Sequence, residues 1–154
     1  MIEEIADLKN IANRFIVIDD DNVHNFISKI AISKYNKVAD VQLYTDAESA
    51  LDSLKIMITD IQDQVKTIIL LDINMPGMNG WEFLDEFSYF GEGVLKQFII
   101  YMCSSSIDQT DMERAENHVF VSGFLSKPLS LDKLKTTLDN VSLYSLSCAK
   151  GNSI

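Results

Sequence analysis

Three stretches of this sequence are almost wholly apolar and rich in β-branched side chains: residues 15–18 (FIVI), 67–71 (TIILL) and 98–102 (FIIYM). None of them alternates between apolar and polar residues, so a strand made from any of them must be covered on both faces. A parallel sheet sandwiched between helices meets that demand, and few other arrangements do. Each run also falls far short of the roughly 20 apolar residues needed to cross a bilayer, which argues against a membrane-spanning chain.

Two weaker strands are predicted over residues 38–44 and 120–125, and amphipathic segments separate all five. Asn22 is a candidate N-cap for a helix to about Tyr35 that turns Val23, Phe26, Ile27, Ile30 and Ala31 inward. Asp46 begins a second helix with Ala47, Ala50, Leu51, Leu54 and Met57 inward, and the polar stretch 59–66 leads to the third strand. The turn-rich run Asn74-Met75-Pro76-Gly77-Met78-Asn79-Gly80 precedes a third helix carrying Trp81, Phe83, Leu84 and Phe87. A polar helix over residues 108–119 follows, and Ser130 caps a last one through Leu131, Leu134, Leu138 and Val141. Strands alternating with helices imply right-handed crossovers and an α/β, doubly wound, five-stranded parallel sheet with helices on both faces.

With 154 residues, 47% of them apolar, the chain is sized for one domain, placed at residues 14–143. Residues 1–13 form an N-terminal lead-in whose Ile2, Ile5, Leu8 and Ile11 recur at near-helical spacing. Residues 144–154 form a C-terminal tail, and no output module is expected in this sequence. The formal net charge of -10 and the absence of a basic run argue against nucleic-acid or membrane-surface binding, Lys34 and Lys37 being the one local basic pair of note. Two cysteines, Cys103 and Cys148, make no disulfide framework, and the opening residues lack the pattern of a secretory leader, so a cytoplasmic protein is expected.

The chemistry gathers where the strands stop. Strand one ends at Asp19 and Asp20, strand three at Asp72, strand four at Ser104 and strand five at Lys127, all on the carboxyl rim where such sheets bind ligands. If the strand order is 2-1-3-4-5, one of the two common doubly wound orders, strands one and three are neighbours and their carboxylates converge. Carboxylates packed together raise each other's pKa by roughly 1 to 3 units unless a cation neutralises them. Magnesium suits such a site, since it takes a few protein oxygens and shares the rest of its shell with water and phosphate. A carboxylate can attack a phosphoryl group if the charge gathering on that group is offset, and Lys127 and the Ser104 hydroxyl are placed to help.

These residues resemble the receiver domains of bacterial two-component response regulators. The motifs stand here as Asp19-Asp20, Asp72-Ile73-Asn74-Met75-Pro76-Gly77-Met78-Asn79-Gly80, Ser104 and Lys127-Pro128, in the family's order from about Phe15 to Val141. The resemblance implies the flavodoxin-like receiver fold with strand order 2-1-3-4-5, and Asp72 as phosphoacceptor. It further implies magnesium, or manganese, held by Asp20, Asp72 and the Asn74 main-chain carbonyl, with Asp19 acting through water. Ser104 and Lys127 would contact the phosphoryl group, Phe124 would be the switch aromatic, and the bond before Pro128 would be cis, as only about 5% of X-Pro bonds are. Two departures are notable: Ser104 replaces the commoner threonine, and Phe124 lacks the hydroxyl of the frequent tyrosine.

The implied function is that of a stand-alone response regulator and not of an enzyme. It would accept a phosphoryl group from a sensor histidine kinase or phosphotransfer protein and signal to a downstream effector by protein contact. A phosphorelay shuttle and a phosphorylation-independent interaction module are the alternatives. A phosphohydrolase of the aspartyl-phosphate type would need a second Asp two residues after the nucleophile, where Asn74 stands. Taken singly, several residues have blander readings. Asp21 reads as a solvent-facing or helix-capping residue, His24 and His118 as surface or edge histidines without acidic partners, Cys103 as a small buried side chain, and Trp81 as packing.

Overall fold

The computed structural model of the chain describes residues 13–59, 66–106 and 108–139. Strands β1 (Arg14–Ile18), β2 (Asp40–Tyr44), β3 (Thr67–Asp72), β4 (Phe98–Ser104) and β5 (Val121–Ser126) form one sheet in the order β2-β1-β3-β4-β5. All four pairings are parallel, with Ile18 beside Leu71, Asp72 beside Cys103 and Ser104 beside Ser126. The helices are α1 (Asn22–Tyr35), α2 (Ala47–Thr59), α3 (Gly80–Phe87), a short α4 (Glu92–Leu95), α5 (Gln109–Asn117) and α6 over residues 131–139. A 3-10 turn, Ser88–Phe90, joins α3 to α4, two elements that the sequence pattern does not announce.

Successive strand residues point to opposite faces, so the apolar runs feed two cores. Ile16, Ile18, Ile69, Leu71, Ile100 and Met102 pack under α2 and α3, while Phe15, Val17, Ile68, Leu70, Tyr101 and Cys103 pack with Ala31, Ile32, Leu134 and Leu138 on the other face. Burial of both faces is why these strands carry no polar alternation.

The expected inner face of α1 is corrected by the structure. Ala31 is buried and Ile27 partly buried as expected, but Val23, Phe26 and Ile30 are 64%, 62% and 41% exposed, and the helix buries Asn25, Ser28 and Ile32 in their place. Small Ser28 and Ala31 let the helix approach the sheet, and Asn25 Nδ2 donates to the carbonyls of Asp19 (2.9 Å) and Tyr44 (3.3 Å) where β1 and β2 end. A polar side chain that closes two strand ends has displaced the more apolar stripe from the interior. The N-cap is Asp21, whose carboxylate accepts from Val23 N at 2.8 Å, and not Asn22.

Strand bounds shift in a way that matters for the site: Asp72, Ser104 and Ser126 are the last residues of β3, β4 and β5. Helix α5 ends at Asn117, leaving Val119 90% exposed, and β2 starts at Asp40, leaving Val38 77% exposed. Ser130 Oγ accepts from Lys133 N at 3.2 Å, as a cap of α6 should. Most of the polar stretch 59–66, Val141, Cys148 and residues 1–12 lie outside the described residues.

Candidate phosphoryl-acceptor site

Parallel strands deliver their last side chains to one rim, and in this order β1, β3 and β4 lie side by side. Asp19, Asp20 and Asp72 each present a carboxylate oxygen within a common 4.8 Å. Asp19 and Asp72 are buried, whereas Asp20 is exposed and opens the cluster to solvent. Asp19 Oδ1 accepts from Asp21 N at 2.9 Å, and Asp72 Oδ1 from Asn74 N at 3.3 Å, which fixes both carboxylates.

Lys127 reaches in from beyond β5. Its Nζ lies 2.5 Å from Asp19 Oδ2 and 3.1 Å from Asp72 Oδ1, and its side chain is 11% exposed. The loop that presents it is anchored: Lys127 N donates to Ser104 O at 2.9 Å, and Lys133 Nζ donates to the carbonyls of Ser126 and Pro128. The Lys127-Pro128 bond is cis.

Burial, and then the charge of Asp19, push the Asp72 carboxyl up to about 6, against the opposing pull of Lys127. Burial alone would lower Lys127, but its bonds to Asp19 and Asp72 outweigh it and hold the ammonium above its ordinary range. Asp19 and Asp72 therefore share one lysine, and Asp20 adds a third carboxylate to the cluster. The surplus negative charge and the hard oxygen donors fit a small divalent cation, with Asp20 as the solvent-facing ligand.

Ser104, 1% exposed, donates its hydroxyl proton to Ser106 O at 2.8 Å and accepts from Ser106 N at 3.2 Å. Phe124 is half-buried on β5 beside Met102, against the core under α3. Asn74 is exposed at the start of the turn. Gly80, the last residue of the Asp72–Gly80 motif, has a steric cause that the sequence does not announce: a Cβ there would lie 2.5 Å from the Asp72 carbonyl oxygen, so only glycine lets α3 start against the end of β3. Asn25 was also missed, because a lone asparagine among apolar residues gives no signal of burial.

His24 Nδ1 lies 3.8 Å from Asp19 Oδ2 and 3.7 Å from Asp21 Oδ2, beyond hydrogen-bond reach, and has no hydrogen-bond partner among the described residues. Cys103, beside Asp72 in the register, is buried, and burial pushes its thiol up to about 12, so it is unreactive packing. No helix among the described residues is long and apolar enough to cross a membrane.

The sequence profile of the response regulator receiver domain matches residues 15–139. A two-component response regulator from Cytophaga hutchinsonii, solved as a crystal structure, superposes with a TM-score of 0.76 at 33% identity, over 85% of this chain and 96% of that one. A response regulator receiver protein from Dyadobacter fermentans does so with a TM-score of 0.72 at 31% identity, over 82% and 95% of the two chains. Among curated proteins, the probable methanogenesis regulatory protein FilR2 of Methanothrix harundinacea is 26% identical over 130 residues, 84% of this chain and 81% of that protein.

Proposed function

Because the chain belongs to the response regulator receiver domain family of two-component systems, we propose that it takes a phosphoryl group onto Asp72 from the phosphohistidine of a sensor kinase or phosphotransfer protein. The observation that carries this reading is the position of Asp72 at the tip of β3, within 3.1 Å of Lys127 and inside one acidic cluster with Asp19 and Asp20. Asp20, Asp72 and the Asn74 carbonyl would hold magnesium, or manganese, with Asp19 joined through water. When bound, the cation supplies positive charge against the three transferring oxygens.

In the transfer, an Asp72 carboxylate oxygen attacks phosphorus and an O–P bond forms. The N–P bond of the donor breaks, its electron pair stays on the imidazole nitrogen, and that nitrogen gains a proton from solvent. Lys127 then exchanges the Asp72 oxygen for a phosphoryl oxygen, a charge-assisted bond that moves by one partner. Ser104 turns its hydroxyl from Ser106 O toward the phosphoryl group, and Phe124 on β5 repacks against the core in response. This repacking shifts a two-state equilibrium of the surface made by α5, β5 and α6, which a downstream effector reads by protein contact.

Intact mass after incubation with acetyl phosphate and magnesium tests the reading. One added phosphoryl group is expected in the wild type and none in Asp72→Asn or with EDTA; no addition from this donor or from a cognate kinase would leave a phosphorylation-independent interaction module. Ser104→Ala should still be phosphorylated but lose the associated change at α5 and β5 in amide spectra, and a full change in that variant would remove Ser104 from the coupling.

A further inference from the structure

On the side of the sheet edge made by β2, away from β5, a groove of about 690 Å³ runs between α1 and the strand. Its apolar floor is Phe26, Ile30 and Leu43, which are 62%, 41% and 38% exposed, and its rim carries Lys29, Lys34 and Lys37. The chain has 23 acidic residues, yet no carboxylate lines this groove, and among the described residues none lies within ion-pair distance of the three lysines. In a protein of net charge -10 this is a segregated basic and apolar strip. It complements a segment that is acidic and apolar together.

Such a segment is joined to the foot of the groove. Asn13, the first described residue, binds there: Asp40 N donates to its carbonyl at 2.7 Å, and Asn36 Nδ2 to its Oδ1 at 3.2 Å, with Asn36 lying between Lys34 and Lys37 in sequence. The residues before it, MIEEIADLKNIA, combine Ile2, Ile5, Leu8 and Ile11 with Glu3, Glu4 and Asp7, against a single basic side chain, Lys9. We propose that residues 1–12 dock in this groove, their apolar side chains over Phe26, Ile30 and Leu43 and their carboxylates toward Lys29, Lys34 and Lys37.

The dimensions agree. Twelve residues as a helix span about 18 Å, against about 21 Å for the 14 residues of α1 that form one wall. Direct attachment at Asn13 gives the segment an effective concentration on the order of millimolar, so contacts too weak to matter between separate molecules suffice here. The docked segment would cover the apolar stripe that α1 turns outward and leave the acidic rim and the surface of α5, β5 and α6 open. The inference is independent of phosphorylation.

Amide hydrogen exchange of residues 2–11 in the full chain tests it. We expect exchange slowed about tenfold relative to the unstructured rate. The protection should be unchanged on dilution and lost both in a Lys29→Glu, Lys34→Glu, Lys37→Glu variant and in Leu8→Asp. The substituted lysines are exposed, and a retained thermal transition checks that the fold is kept. Unprotected exchange in the wild type would overturn the proposal, as would protection that survives reversal of the lysines. Protection that falls on dilution would assign the groove to the segment of a second copy and overturn docking within one chain.

Discussion

At Asp72 the fold holds a carboxylate where little water reaches it, beside a second buried carboxylate and one lysine. Its protonated form is favoured by folding, since its pKa stands at about 6 against 3.8 in the unfolded chain. For an acid shifted upward, the stability penalty is present in full above the folded value and disappears below the unfolded one. In metal-free buffer Asp72→Asn should therefore be more stable than the wild type at neutral pH, on the order of 1–3 kcal/mol. The difference should shrink as pH falls through 6, and denaturant unfolding at several pH values measures it. Equal stabilities throughout would mean that Lys127 alone neutralises the pair.

Helix α5 shows how an element with one buried apolar residue, Ala115, is kept on the fold. Trp81, second residue of α3, donates from Nε1 to Asp111 Oδ1 at 3.3 Å, and the Arg114 guanidinium lies 4.3 Å over its ring. His118, capping the end of α5, stands 6.1 Å from the Trp81 ring and accepts from Phe120 N through Nδ1 at 3.2 Å. Burial, then Arg114, lower the pKa of His118, with Asp85 opposing. A histidine lowered in the fold costs stability as pH falls, because the unfolded chain binds the proton more readily. Thermal melts between pH 8 and 5 should thus fall less in His118→Gln than in the wild type, and parallel falls would remove His118 as a cause. Trp81 packs in the core and also ties α5 to α3, one residue from Gly80, which sits against the end of β3.

Across the whole molecule, an ion held only by the folded state stabilises it by mass action, about 2.7 kcal/mol at one hundred times Kd. Magnesium should raise the Tm of the wild type and raise that of Asp20→Ala much less, since the exposed Asp20 can be removed without disturbing the core; equal rises would place the cation elsewhere. The strands and the residues at their ends were legible in the sequence because strands buried on both faces leave unbroken apolar runs that stop at polar residues, whereas the order 2-1-3-4-5 came from the family resemblance. The inward face of α1 was not, because apolar count points to Phe26 and Ile30, and the decisive contact is a bond from Asn25 to two strand ends far apart in sequence. Nor were the contacts of Trp81 and Gly80, each of which depends on what another element brings near. The site itself draws on four separate places: Asp19 and Asp20 after β1, Asp72 on β3, Ser104 on β4 and Lys127 after β5. A cut anywhere between Asp20 and Asp72 leaves no piece with the whole cluster, and two such pieces regain it only by rebuilding the sheet together. Phosphorylation at Asp72, as proposed, would in that sense be a logical AND over β1, β3, β4 and β5, a chemical receipt that these strands are assembled.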